Sequence, residues 1–198
     1  MAEMLELSAE GSSARADVEL QIGVTAVYEQ QGVTSERHAV RGIATGVELC
    51  GPDNSGCTDF EELAVATGKL ATFTVDGVCV DDRLLAGGLQ ANQDGVVVEL
   101  LGAYQSVVSD DLIVALDVTN DSDEAVILNG WSAEYLTAES RQATASDAIG
   151  PDELRSGASA YLALVFPTQG LGGTVNLTGY DADFTVDLEW ELMLTAPE

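Results

Sequence analysis

Between residues 184 and 192 apolar and polar side chains alternate without a break, and Leu194 continues the apolar side. Phe184, Val186, Leu188, Trp190, Leu192 and Leu194 fall on one side, and Thr185, Asp187, Glu189 and Glu191 on the other. A period of two over so long a run predicts a strand with one buried face and one acidic face, and the buried face needs a second apolar layer against it. Residues 17–28 show the same alternation: Val18, Leu20, Ile22, Val24, Ala26 and Tyr28 are interleaved with Asp17, Glu19, Gln21, Gly23 and Thr25. That pattern predicts a second long, half-buried strand. Residues 1–16 end in the small polar run 11–14 and read as an N-terminal arm.

The remaining segments follow the same logic. A weaker strand is expected over 37–50, bent at Gly42 and Gly46, followed by a loop over 51–56 bracketed by Cys50 and Cys57. Thr58-Asp59-Phe60-Glu61 has the form of a capping box, so a short helix is expected up to Gly68. Residues 70–80 read as strand material with a tight turn at Asp76-Gly77. Further strands are expected over 96–104, 111–119, 125–135 and 160–166, the last stopped by Pro167, and then over 175–177. The polar stretch 137–159 reads as the largest loop. The sum is about eight to ten strands with at most one or two short helices, an all-β sandwich. Residues 17–198 are expected to form a single sandwich, with a subdivision near 91–95 as the alternative.

Charge adds the next constraint. There are 34 acidic residues against 7 basic ones, a net of -27, and Lys69 is the sole lysine. Such a surface repels itself in dilute buffer, but in molar salt the Debye length falls to about 3 Å and the repulsion is largely screened. A halophile's surface is the expectation. No basic patch can be assembled for nucleic acid or anionic lipid. The N-terminus lacks the charged and apolar regions of a signal peptide, and no stretch is apolar enough to span a membrane.

Candidate chemistry is sparse. Cys50, Cys57 and Cys79 are an odd number, so at least one thiol is free or pairs with another chain, and Cys50 with Cys57 would close a short loop. Their spacing does not suit zinc. The single histidine, His38, has no nucleophile or carboxylate that the pattern assigns to it, and it reads as structural or exposed. Asp117, Asn120, Asp121 and Asp123 could surround a calcium ion but lack the spacing of a known loop, so a solvated turn is expected. Asn120-Asp121-Ser122 and Asn176-Leu177-Thr178 fit the glycosylation pattern. Gly170 to Gly173 reads as a turn, and Trp131, Tyr135 and Trp190 as core. No catalytic, cofactor-binding or metal motif is present, and no enzyme activity or small-molecule substrate is expected.

Two resemblances sharpen the expectation. The stretch 112–120, with 123–126, 151–157 and 162–167, resembles telokin-like, immunoglobulin-like domains of prokaryotic surface lipoproteins. The whole chain, by its size, acidic surface, strand content and odd cysteine, is similar to the small single jelly-roll coat proteins of haloarchaeal icosahedral viruses with an internal membrane. That second likeness implies a jelly roll of about eight strands and a virion protein made in the host cytoplasm. It also implies packing against copies of itself and a second coat protein near a lipid layer, with cross-links through Cys50, Cys57 or Cys79. The first implies instead a monomeric recognition module of a haloarchaeal surface protein.

Overall fold

The computed structural model describes residues 2–32, 39–51, 56–185 and 187–195. His38, most of the 51–56 loop, and Val186 lie outside the described residues. Two helices, α1 (Ala2–Leu7) and α2 (Ser13–Gln30), precede everything else. Five strands follow in a simple meander: β1 (Ala39–Gly42), β2 (Gly46–Cys50), β3 (Cys57–Ala66), β4 (Lys69–Val75) and β5 (Val78–Cys79).

The rest of the chain builds two facing antiparallel sheets. The first has the order β13-β15-β9-β8-β6, from β6 (Leu84–Ala86), β8 (Val96–Gln105), β9 (Leu112–Asn120), β13 (Asp147–Ile149) and β15 (Ala158–Phe166). Strand β7 (Gln90–Gln93) also pairs with β8, through a turn in which Asp94 and Gly95 both take positive φ. Gly95 suits that place twice over, because a Cβ there would lie 3.2 Å from the Ser122 nitrogen. The second sheet has β16 (Thr174–Asp181) at its centre, paired with β17 (Asp187–Met193) on one side. On its other side lie β10 (Val126–Leu128) and β11 (Glu134–Leu136), two pieces of one bent strand with β14 (Glu153–Leu154) and β12 (Gln142–Thr144) beyond them.

The alternation seen in the sequence now has its cause. Val96, Val98 and Leu100 of β8, the even-numbered positions of β9, and Leu188, Trp190 and Leu192 of β17 all point between the sheets and are buried. Each such side chain contributes roughly 1.5–3 kcal/mol when fully withdrawn from water. Trp190 also donates its indole N–H to the Val96 carbonyl at 3.1 Å, tying the last strand to the opposite sheet. Tyr135 packs its ring 5.6 Å from Phe166. Its hydroxyl donates to the Gly170 carbonyl (2.6 Å) and accepts from the Gly173 N–H (2.7 Å), which fixes the expected Gly170–Gly173 turn.

Several expectations are corrected. Residues 17–28 are helix, not strand, and the expected arm contains α1 and the first turn of α2. Ser12 caps α2 by accepting the Arg15 N–H, and Arg15 pairs with Glu19 one turn later at 2.7 Å. The buried positions Ala16, Leu20, Gly23 and Val27 form a stripe at helical spacing. That stripe lies on the outer face of the first sheet, over Leu101 and Ala115. Gly23 allows the approach: a Cβ there would sit 2.9 Å from Leu101 Cδ1 and 3.3 Å from Ala115 Cβ. Residues 58–66 are strand, not helix, because the Cys50–Cys57 disulfide and the Val47↔Phe60 pairing hold them in register with β2. The supposed loop 137–159 carries β12, β13 and β14, pieces too short for alternation to show.

Trp131 is 57% exposed in a single 3-10 turn between β10 and β11, not core. Phe184 is 66% exposed in the turn before β17, so the last strand starts later than expected. Among the described residues there are seventeen strands in three sheets. The molecule is mostly β and sandwich-like over residues 84–195. Residues 91–95 belong to the hairpin that joins β7 to β8.

Candidate functional site

Connections gather at one end of the sandwich. Because Val126 pairs with Asp181, and Tyr180 with Asp187, the β9–β10 loop and the β16–β17 turn emerge side by side. The β7–β8 turn joins them through the Asp121 N–H on the Gly95 carbonyl (2.8 Å), and the β14–β15 turn through the Gly157 N–H on the Asn120 carbonyl (2.7 Å). Between these connections lies a concavity of about 460 Å³. Val96, Val126 and Leu188 form its apolar floor, while Asp94, Asp123, Glu124 and Asp181 supply carboxylates around it.

Asn120 organises that end. It has no exposed surface, and its amide nitrogen donates to the carbonyls of Glu124 (2.8 Å) and Leu154 (3.0 Å). Its amide oxygen accepts the Ser122 N–H (3.0 Å) and the Ser122 hydroxyl (2.6 Å), so every hydrogen-bonding position of the side chain is used. The β9–β10 loop is thereby held in one shape. Asp181 braces the neighbouring turn by accepting the Thr185 N–H at 2.6 Å, and Tyr180 and Phe184 stack with ring centroids 5.8 Å apart.

The sequence candidates land in different places. Asn120 is buried and committed, so that sequon has no accessible acceptor, and Asn176 sits in the middle of β16 rather than in a loop. The four residues considered for calcium do not converge: Asn120 points inward, while Asp117 stands on the outer face of the first sheet opposite Glu99. Burial, and then the Glu99 charge, push the Asp117 carboxyl above its ordinary range. Cys50 and Cys57 are joined in a disulfide, and Cys79 is an exposed free thiol on β5. Among the described residues, the one group with metal-ligand geometry is Glu48, Cys50 and Cys57, and the disulfide takes up its two sulfurs.

The rim of the concavity could not be read from any one stretch. Asp94 and Asp123 come from two turns and Asp181 from the end of β16, places that only the strand order brings together, and each alone looks like an ordinary solvated residue. The signal available in sequence was Asn120-Asp121-Ser122, a turn-forming run directly after a buried strand. No family model matches the chain, and no curated protein matches it. Among solved structures it is similar to a functionally unknown protein from Listeria monocytogenes EGD-e. That likeness has 8% sequence identity and a TM-score of 0.39, covers 60% of this chain and 90% of that one, and is too loose to carry an argument.

Proposed function

We propose that residues 84–195 form a recognition module of immunoglobulin type that binds a basic segment of a partner protein at the Asn120 end. The observation that carries this reading is the concavity there, an apolar floor ringed by carboxylates and held open by a fully bonded asparagine. An arginine or lysine suits such a shape, because its aliphatic stem can lie on Val96 and Val126 while its charged head meets the rim. The strand order supports the type. With β8, β9, β15 and β13 taken as A, B, E and D, and β10/β11, β16 and β17 as C, F and G, the neighbours are those of an immunoglobulin sandwich. The loops at this end are then B–C and F–G, which carry recognition in variable domains.

The test is titration of the full chain with Nα-acetyl-arginine amide in molar KCl, followed by backbone amide NMR shifts. Saturable shifts at residues 122–126, 181 and 188, weakened by Asp123→Asn with Glu124→Gln, are expected. Shifts that never saturate, or that ignore those substitutions, would sink the reading.

A coat protein of a halophile's virus, assembled from copies of this chain with a second coat protein over a membrane, is the second reading. It is favoured by the apolar Val40, Leu63 and Val65 exposed on the five-stranded sheet, where Cys79 is also free. Light scattering at molar salt, with and without reductant, separates the two: a large or disulfide-linked particle favours the coat protein, and a reductant-insensitive monomer favours the recognition module.

A further inference from the structure

A second cleft, remote from the loop end, runs between α2 and the five-stranded sheet and has a volume of about 450 Å³. That size falls within the range of small-ligand sites. Its sheet-side wall is mostly apolar, made by Leu49, Phe60, Val75 and Val80 with Thr58 beside them, and the Phe60 ring is braced 5.7 Å from Phe73. Val108 and Tyr104 close it from the side of the sandwich.

The helix presents the opposite kind of surface. Asp17, Gln21 and Thr25 lie on successive turns of α2 and all line the cleft. The Asp17 carboxyl is hydrogen-bonded to Gln21, and among the described residues it has no ion pair. Arg83, whose charge reaches Tyr104, is engaged elsewhere: its Nη1 donates to the Ser106 carbonyl and to Asp110 Oδ1, both at 3.1 Å. Burial raises the Asp17 carboxyl above its ordinary range, as expected of a half-buried acid without a counter-charge.

A half-buried carboxylate facing a hydrocarbon wall is best satisfied when something positive pairs with it. A neutral alcohol would fill the space but leave the charge unpaired, and a fatty acid would add a like charge. We propose that this cleft binds a small apolar ammonium compound, an alkyl- or arylalkylamine, with its charge on Asp17 and its hydrocarbon along Phe60, Val75 and Val80. The site is independent of the loop end, so either can stand without the other.

Isothermal titration of the full chain in molar KCl with hexylammonium, hexanol and hexanoate tests it. Hexylammonium should bind under α2 as one equivalent in addition to any taken up at the loop end, with hexanol and hexanoate weaker there by at least about tenfold, the scale of a desolvated ion pair. Asp17→Asn should weaken that equivalent by a similar factor, while Glu124→Gln, which acts on the loop end alone, leaves it in place. The proposal is overturned if hexylammonium fails to saturate at millimolar concentration, if Asp17→Asn binds it as tightly as the parent, or if the loss appears in Glu124→Gln instead. Circular dichroism of Asp17→Asn distinguishes lost binding from lost fold, and Gln21→Ala, which keeps the carboxylate, should retain the preference for the amine over the alcohol. Loss of that preference in Gln21→Ala would also count against it.

Discussion

Replacing Asn120 with alanine tests the part of the molecule on which the loop-end site depends. The substitution removes two donors and two acceptors from a side chain with no exposed surface. Not all of its partners are left stranded. The Ser122 hydroxyl, released from the Asn120 oxygen, can turn to the Glu124 carbonyl 3.0 Å away, but the Leu154 carbonyl loses this donor and the Ser122 N–H loses this acceptor. Each group left unpaired costs about 1–3 kcal/mol, so the expected destabilisation for the two is about 2–6 kcal/mol before any relaxation. Urea unfolding in molar KCl, followed by tryptophan fluorescence, measures it as a lower midpoint at constant slope. Asn176→Ala is the internal control, because the Asn176 oxygen has no hydrogen-bond partner and its removal should cost under about 1 kcal/mol. Equal effects in the two variants, or a loss below about 1 kcal/mol for Asn120→Ala, would refute the view that Asn120 holds this end in shape.

Two further outcomes are expected. Asp117→Asn should raise stability near neutral pH, because it removes a half-buried acid directly opposite Glu99; pairs of this kind are worth about 0.2–1 kcal/mol. The folded pKa of Asp117 lies above its unfolded value, so the parent loses stability as pH rises through the folded pKa; the variant's advantage should therefore vanish below the ordinary carboxylate range, and thermal melts from acid to neutral pH would show it. Gly23→Val should weaken the docking of α2 by about 1–3 kcal/mol, since the added carbons meet Leu101 and Ala115, and protection of the α2 amides from hydrogen exchange should fall before that of β9.

The strands that the sequence made legible are those that bury one face in one layer. Residues 96–104, 111–119 and 160–166 alternate because the facing sheet demands it, and each forms within a residue or two of its expected bounds. Residues 17–28 alternate too, yet fold as a helix. The deciding stripe, Ala16, Leu20, Gly23 and Val27, contains an alanine and a glycine that a hydrophobicity pattern does not mark, and its value comes from close contact with Ala115 and Leu101. The capping box at Thr58 misleads for a different reason: nothing local reveals that Cys57 is held across from Cys50. The same limit explains the sites. Asp17 belongs to the solvent side of a strand but to the cleft side of a helix, so its role emerges only with α2 in place. The carboxylates of the loop end are ordinary turn residues until the strand order gathers them.

The distribution of charge bears on what these sites can distinguish. Four arginines have carboxylate partners, in Arg15–Glu19, Arg41–Glu48, Arg83–Asp110 and Arg141–Glu139, while the net charge stays at -27. A cation approaching from solution is therefore attracted almost everywhere, and attraction alone selects no site. In molar salt that long-range pull shrinks to about 3 Å, and only contacts that exclude water and ions keep their strength. Both concavities offer such contacts in the same way, by setting carboxylates beside buried hydrocarbon: Val96, Val126 and Leu188 at the loop end, Phe60, Val75 and Val80 under α2. The apolar surface must then decide which cation binds and where, and the carboxylate excludes whatever arrives without a charge. It follows that trimming the floor, with Val126→Ala or Val75→Ala, should reduce selectivity among cations more than removing one exposed acid from the rim.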